Sequence, residues 1–114
     1  MSTKEERERI ELLQGTLDLL ILRTLLRGPA HGHAIAKNIQ RTSEDLFQVE
    51  TGSLYPALYR LEKRGLLKAT WKTVGGRDAK FYSLTKTGQE QLEAETAGWE
   101  RLCAAVRLVL ETSK

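Results

Sequence analysis

At Gly65 the spacing of apolar residues changes from the period of a helix to the period of a strand, and that change limits what the chain can fold into. Upstream, in TGSLYPALYRLEKRG, Leu54, Leu58 and Leu61 form a narrow stripe on a helical wheel. Thr51 and Ser53 are good N-caps, and Pro56 belongs near the first turn, where its missing N–H costs least. Gly65 stands where a left-handed residue closes a helix. The segment therefore predicts a helix from about Gly52 to Gly65. Downstream, Leu67, Ala69 and Trp71 alternate with Lys68, Thr70 and Lys72, which predicts a half-buried strand with the first set facing inward. Gly75-Gly76 predicts a tight turn, and the run from Lys80 to Leu84 a returning strand. A two-stranded hairpin results, with Arg77 near its tip.

Two further helical patterns precede this unit. From Leu12 to Leu26 the positions Leu13, Leu17, Leu20, Ile21, Thr24 and Leu25 recur at helical spacing, until Gly28 and Pro29 stop them. Ala34, Ile35 and Ile39 mark a shorter amphipathic helix that begins near His31 or Gly32 and fades in the polar stretch from Arg41 to Asp45. After the hairpin, Thr85 or Thr87 can cap a long final helix, Thr87 having capping-box spacing to Glu90. Leu92, Trp99, Cys103, Val106 and Val109 with Leu110 recur there at near-heptad spacing, an apolar stripe that calls for a partner. The expected fold is mainly α with a small two-stranded β-hairpin: a winged helix-turn-helix plus a long C-terminal dimerisation helix. Residues 1–85 are expected to form the winged-helix unit, with the charged segment 1–9 either a frayed helical start or a mobile tail, and residues 86–114 the dimerisation helix.

A chain of 114 residues has room for one core and no second domain. Its longest apolar run, Leu17 to Leu22, is broken by Asp18 and falls far short of a membrane span. The N-terminus carries charges with no apolar segment after them, so a secretory leader is not expected and the cytoplasm is the default location. Cys103 sits among Leu102, Ala104, Ala105 and Val106 as a small apolar residue would. His31 and His33 lack further ligands at metal spacing, no nucleophile stands beside a base, and no glycine loop precedes a helix to cradle phosphate. No enzyme, metal or cofactor is expected.

Charge is concentrated rather than large. The chain carries +3 overall, yet between Thr51 and Lys80 seven lysines and arginines stand against two acids. That basic middle is suited to an anionic partner, and helix–helix–helix–hairpin order supplies a way to use it: a helix fits the major groove while a flanking basic hairpin holds phosphates. On this reading the outward face of the third helix carries Pro56, Tyr59, Arg60 and Lys63, with Ser53 at its edge. Tyr55, flanking the leucine stripe, either joins that face or packs in the core. Lys37 on the second helix is placed with the DNA contacts, as are Arg77 and Lys80 on the hairpin, although Arg77 at a glycine turn can equally be a solvated arginine. Trp99 is either packed at a dimer seam with Leu92, Cys103, Val106 and Leu110 or stacked on a small apolar ligand. The expected function is double-stranded DNA binding by a homodimeric transcriptional regulator. A winged-helix module that binds an acidic protein is the alternative.

GSLYPALYRLEKRGLL, followed after a gap by GGRDAKFYSLTKTGQEQL and preceded by LLQGTLDLLILRTLLRGPAHGHAIAKNI, resembles the PadR family of transcriptional regulators from about Glu11 to the C-terminus. The resemblance implies a winged helix, a homodimer made by the C-terminal helix with help from the first, and a roughly palindromic operator. It implies recognition-helix contacts at Tyr55, Pro56 and Arg60 and wing contacts at Arg77 and Lys80. Where many relatives have a second basic residue in the wing, this chain has Asp78, which weakens the expected phosphate contact. The single final helix resembles the short subfamily, some members of which bind flat apolar compounds between subunits, and Trp99 matches the tryptophan some of them place at that cavity.

Overall fold

The computed structural model describes residues 14–112. The charged segment 1–9, together with Leu12 and Leu13 of the first helical pattern, lies outside the described residues. Helix α1 (Gln14–Leu25) is followed by a short strand β1 (Ala30–His31), then α2 (Gly32–Thr42), α3 (Thr51–Lys63), β2 (Leu67–Val74), β3 (Arg77–Leu84) and α4 (Lys86–Leu110). The three strands form one antiparallel sheet in the order β1-β3-β2. Mainly helical content with a small hairpin is as the sequence predicts.

The third strand is not in that expectation. Ala30 pairs with Tyr82 and His31 with Phe81, so β1 covers the far edge of β3. Two residues between Pro29 and a helix cannot display a period of two, which is why the pattern gave no sign of them. His31 then ends β1 and caps α2, its Nδ1 accepting the Ala34 N–H at 3.2 Å.

The core is built where the apolar stripes of α1, α2 and α3 meet the base of the sheet and the first turns of α4. Ile21, Leu22, Ile35, Leu54, Leu58 and Leu61 are fully buried there. Helix α3 closes as its sequence predicts: Gly65 takes a φ of 78°, its N–H reaches the Glu62 carbonyl at 2.9 Å, and the Leu66 N–H reaches the Leu61 carbonyl at 3.0 Å. Its start differs. Glu50 is the N-cap and contributes no side-chain bond, so neither Thr51 nor Ser53 has the predicted role. Pro56 is consequently in the second turn and not the first, leaving the Gly52 carbonyl without its helical donor. Gly52 is exposed, so water can donate to that carbonyl and the proline is tolerated.

Helix α4 starts at Thr85, whose Oγ1 accepts the Gly88 N–H at 2.9 Å and donates to the Gly65 carbonyl at 2.7 Å. One hydroxyl thus ties the start of α4 to the end of α3. A 25-residue helix is about 37 Å long, and only its first half packs on the core, giving an elongated molecule of 60 × 39 × 21 Å. Among the described residues no helix is long and apolar enough to cross a membrane.

Candidate nucleic-acid interface

Four apolar residues of α3, Leu54, Ala57, Leu58 and Leu61, face the core, which turns Gly52, Pro56, Tyr59 and Lys63 directly outward. Tyr59 is 61% exposed, and Lys63 Nζ lies 5.7 Å from the centroid of its ring, so an aromatic face and a cation are presented together. Ser53 is exposed on the flank toward α1, and Tyr55 is exposed on the flank toward the sheet. Tyr55 is held there by α2: a Cβ at Gly32 would lie 2.8 Å from its ring and hydroxyl, so the absence of a side chain at Gly32 makes the seat for the tyrosine.

Arg60 is not on the fully outward face where the leucine stripe alone would put it. It leans toward α1, and its Nη2 donates to Asp18 Oδ1 at 3.0 Å. Asp18 is 7% exposed, and burial pushes its carboxyl up from the ordinary 3.8, against the lowering effect of Arg60. One N–H of Arg60 is thereby occupied, and the rest of the guanidinium fork, still half-exposed, keeps further donors. The sequence contains the signal for this pair: Asp18 falls on the same helical face as Leu22 and Leu25, where a carboxylate needs a cation from elsewhere in the chain.

The hairpin turns through Gly75 and Gly76, with φ of 59° and 79°, the signs a two-residue turn of this hand requires. Val74 pairs with Arg77, which places Arg77 at the tip with an exposed side chain. Asp78 accepts a hydrogen bond from Thr73 Oγ1 at 2.8 Å on its cross-strand neighbour, so the acid of the wing is partly taken up within the wing. Lys80 is 3.3 Å from Glu62 on α3 and lies over the Tyr82 ring; the bond to Glu62 raises its pKa above 10.5. Lys37 is exposed on α2.

Trp71 departs from the predicted alternation. Leu67 is buried and Ala69 partly so, but Trp71 is 66% exposed, because β2 runs on past the edge of the helical core. Alternation identifies a face, not how far the core beneath that face extends. On α4, Leu92 is 5% exposed and is used up in the chain's own core rather than left on a free seam. From Trp99 onward the stripe is open: Trp99, Leu102, Val106 and Leu110, with half-buried Cys103, line a shallow apolar groove of about 390 Å³.

The profile of the transcriptional regulator PadR-like family matches residues 21–94. A transcriptional regulator of Mycobacterium tuberculosis is 30% identical over 96 residues, covering 84% of this chain and 87% of that protein. Among solved structures, a PadR family transcriptional regulator from Eggerthella lenta superposes with a TM-score of 0.78 at 37% identity, covering 88% of this chain and 86% of that one. A PadR family transcription regulator from Clostridium difficile superposes with a TM-score of 0.73 at 29% identity, over 82% and 97% of the two chains. A family of regulators, not of enzymes, thus matches in sequence and in fold, and the chain belongs to the PadR family of DNA-binding transcriptional regulators.

Proposed function

We propose that the chain acts as a homodimer that sets two copies of α3 into successive major grooves, about 34 to 36 Å apart, on a short inverted-repeat operator, and that it represses transcription there by occupying the site. The observation that carries this is the outward row of Gly52, Pro56, Tyr59 and Lys63 on a helix otherwise fixed by buried leucines, beside a hairpin ending in Arg77. Pro56, Tyr59 and Lys63 meet the groove directly, and Ser53 and Tyr55 its edge. Arg60 reads a base with the donors Asp18 leaves free. Lys37, Arg77 and Lys80 hold phosphates, with Arg77 entering the narrow groove beside the wing.

Residues 1–85 form the DNA-binding unit and 86–114 the dimerisation helix. The open stripe from Trp99 to Leu110 supports the dimer, since contiguous apolar surface of this kind is usually covered. A flat apolar effector stacked on Trp99 at that seam would release the operator. The test is selection of binding sequences from a random duplex library by the full chain, with the mass of the complex from light scattering. An enriched inverted repeat bound by two chains is the expected result, and enrichment of nothing sinks the proposal.

A further inference from the structure

Between the start of α2, the sheet-side flank of α3 and the inner face of the hairpin lies a cleft of about 410 Å³, lined by His33, Tyr55, Trp71, Lys80 and Tyr82 with Gly32 at its floor. Trp71 and Lys80 are cross-strand partners, so their side chains project from the same face of the hairpin into it. Two of its aromatic side chains, Trp71 and Tyr55, are exposed at positions where neither contributes to the core. The polar groups at its rim are rich in donors: an indole N–H, a phenol, an imidazole and an ammonium. A ligand that only accepts hydrogen bonds and carries negative charge fits such a rim.

We propose that this cleft seats the DNA backbone strand that runs between the groove holding α3 and the groove beside the wing, with Trp71 Nε1 and the Tyr55 hydroxyl donating to a phosphodiester oxygen. The inference rests on the DNA-binding reading above and deepens it. A helix in one groove and a hairpin tip in the next require the sugar–phosphate strand between those grooves to cross the junction of helix and hairpin, and this cleft is that junction. Glu62 lies 3.3 Å from Lys80 and offsets part of its charge, so the neutral donors beside Lys80 add a contact of their own, little of which appears as counterion release. The exposure of Trp71 then has a use that packing does not supply.

A random-sequence duplex of about 30 base pairs is a sufficient probe, because a phosphate contact does not depend on sequence. In nitrogen–proton spectra of the full chain, the Trp71 indole N–H, identified by its loss in Trp71→Phe, shifts on titration with that duplex. Trp71→Phe, which keeps an aromatic ring at an exposed site and should leave thermal unfolding unchanged, weakens binding about tenfold, as loss of a hydrogen bond to a charged acceptor does. The slope of log affinity against log salt stays that of the unmodified chain. An indole signal that does not move at saturating duplex, or a Trp71→Phe chain that binds as tightly as the unmodified one, overturns the cleft and leaves DNA binding standing. Failure of the unmodified chain to bind any duplex overturns both.

Discussion

Arg60 on α3 and Asp18 on α1 are 3.0 Å apart, and the pair is the one side-chain bond among the described residues that ties the outward-facing helix to the helix beneath it. The carboxylate is nearly buried and the guanidinium is not, so the two partners carry unequal desolvation costs. Helix α1 also packs on α4, so Asp18 stands between the surface proposed to read DNA and the helix proposed to dimerise.

Stability should record that inequality. Burial raises the Asp18 pKa above 3.8, so its protonated form is favoured by folding more than its ionised form. The contribution of this group is then fully present below the carboxylate's ordinary range and is lost as pH rises through the raised folded value. Asp18→Asn keeps an acceptor for Arg60 and cannot ionise. Its melting temperature relative to the unmodified chain is expected to rise between acid and neutral pH. A variant that falls further behind as pH rises would mean that the Arg60 attraction outweighs burial.

Specificity should follow Arg60 more than affinity does. With one N–H held by Asp18, the remaining fork can meet a guanine edge, and loss of such a contact costs about 1–3 kcal/mol on the preferred sequence. Arg60→Ala is therefore expected to lower affinity for a selected operator by that amount and for a scrambled duplex by much less, as measured by competition titration. Equal losses on both would leave Arg60 a phosphate contact only.

Much of this is legible in the sequence. The change of period at Gly65, the left-handed cap it makes and the Gly75-Gly76 turn place the third helix and the wing because each depends on local chemistry. Trp71 and Leu92 were not placed correctly, for one reason in two directions: a stripe in the sequence shows which side of an element is apolar, while the extent of the neighbouring element decides which of its residues are covered. The core ends before Trp71 and reaches Leu92. Asp18 interrupts an apolar run, and its place on the buried face of α1 implies the partner that Arg60 provides.

The junction of α3, β2 and α4 tolerates no side chain at Gly88. A Cβ there would collide with the Leu66 carbonyl oxygen, a backbone atom that cannot rotate away, and with Leu84. Helix propensity alone would favour alanine by about 1 kcal/mol at an unobstructed helical site. Overpacking reverses the sign, and Gly88→Ala should cost about 1–3 kcal/mol, read as a lower denaturant midpoint at unchanged slope. A neutral or stabilising effect would show that α4 can lift off the α3 cap without loss.

Association should fail before folding does when the open stripe of α4 is charged. Trp99 and Val106 lie about two helical turns apart on one side of the helix, both about half-exposed and neither part of the chain's own core. Val106→Glu therefore places its cost almost entirely on the proposed dimer: a carboxylate buried against an apolar partner is worth several kcal/mol, enough to shift association by three or more powers of ten. Light scattering is expected to give twice the 12.9 kDa chain mass for the unmodified protein and the single-chain mass for Val106→Glu, with helical content kept. Leu92→Glu should instead lower the melting temperature of the chain itself, since Leu92 is in the core. A monomeric unmodified chain at micromolar concentration would refute the proposed dimer, and with it the need for a two-fold operator.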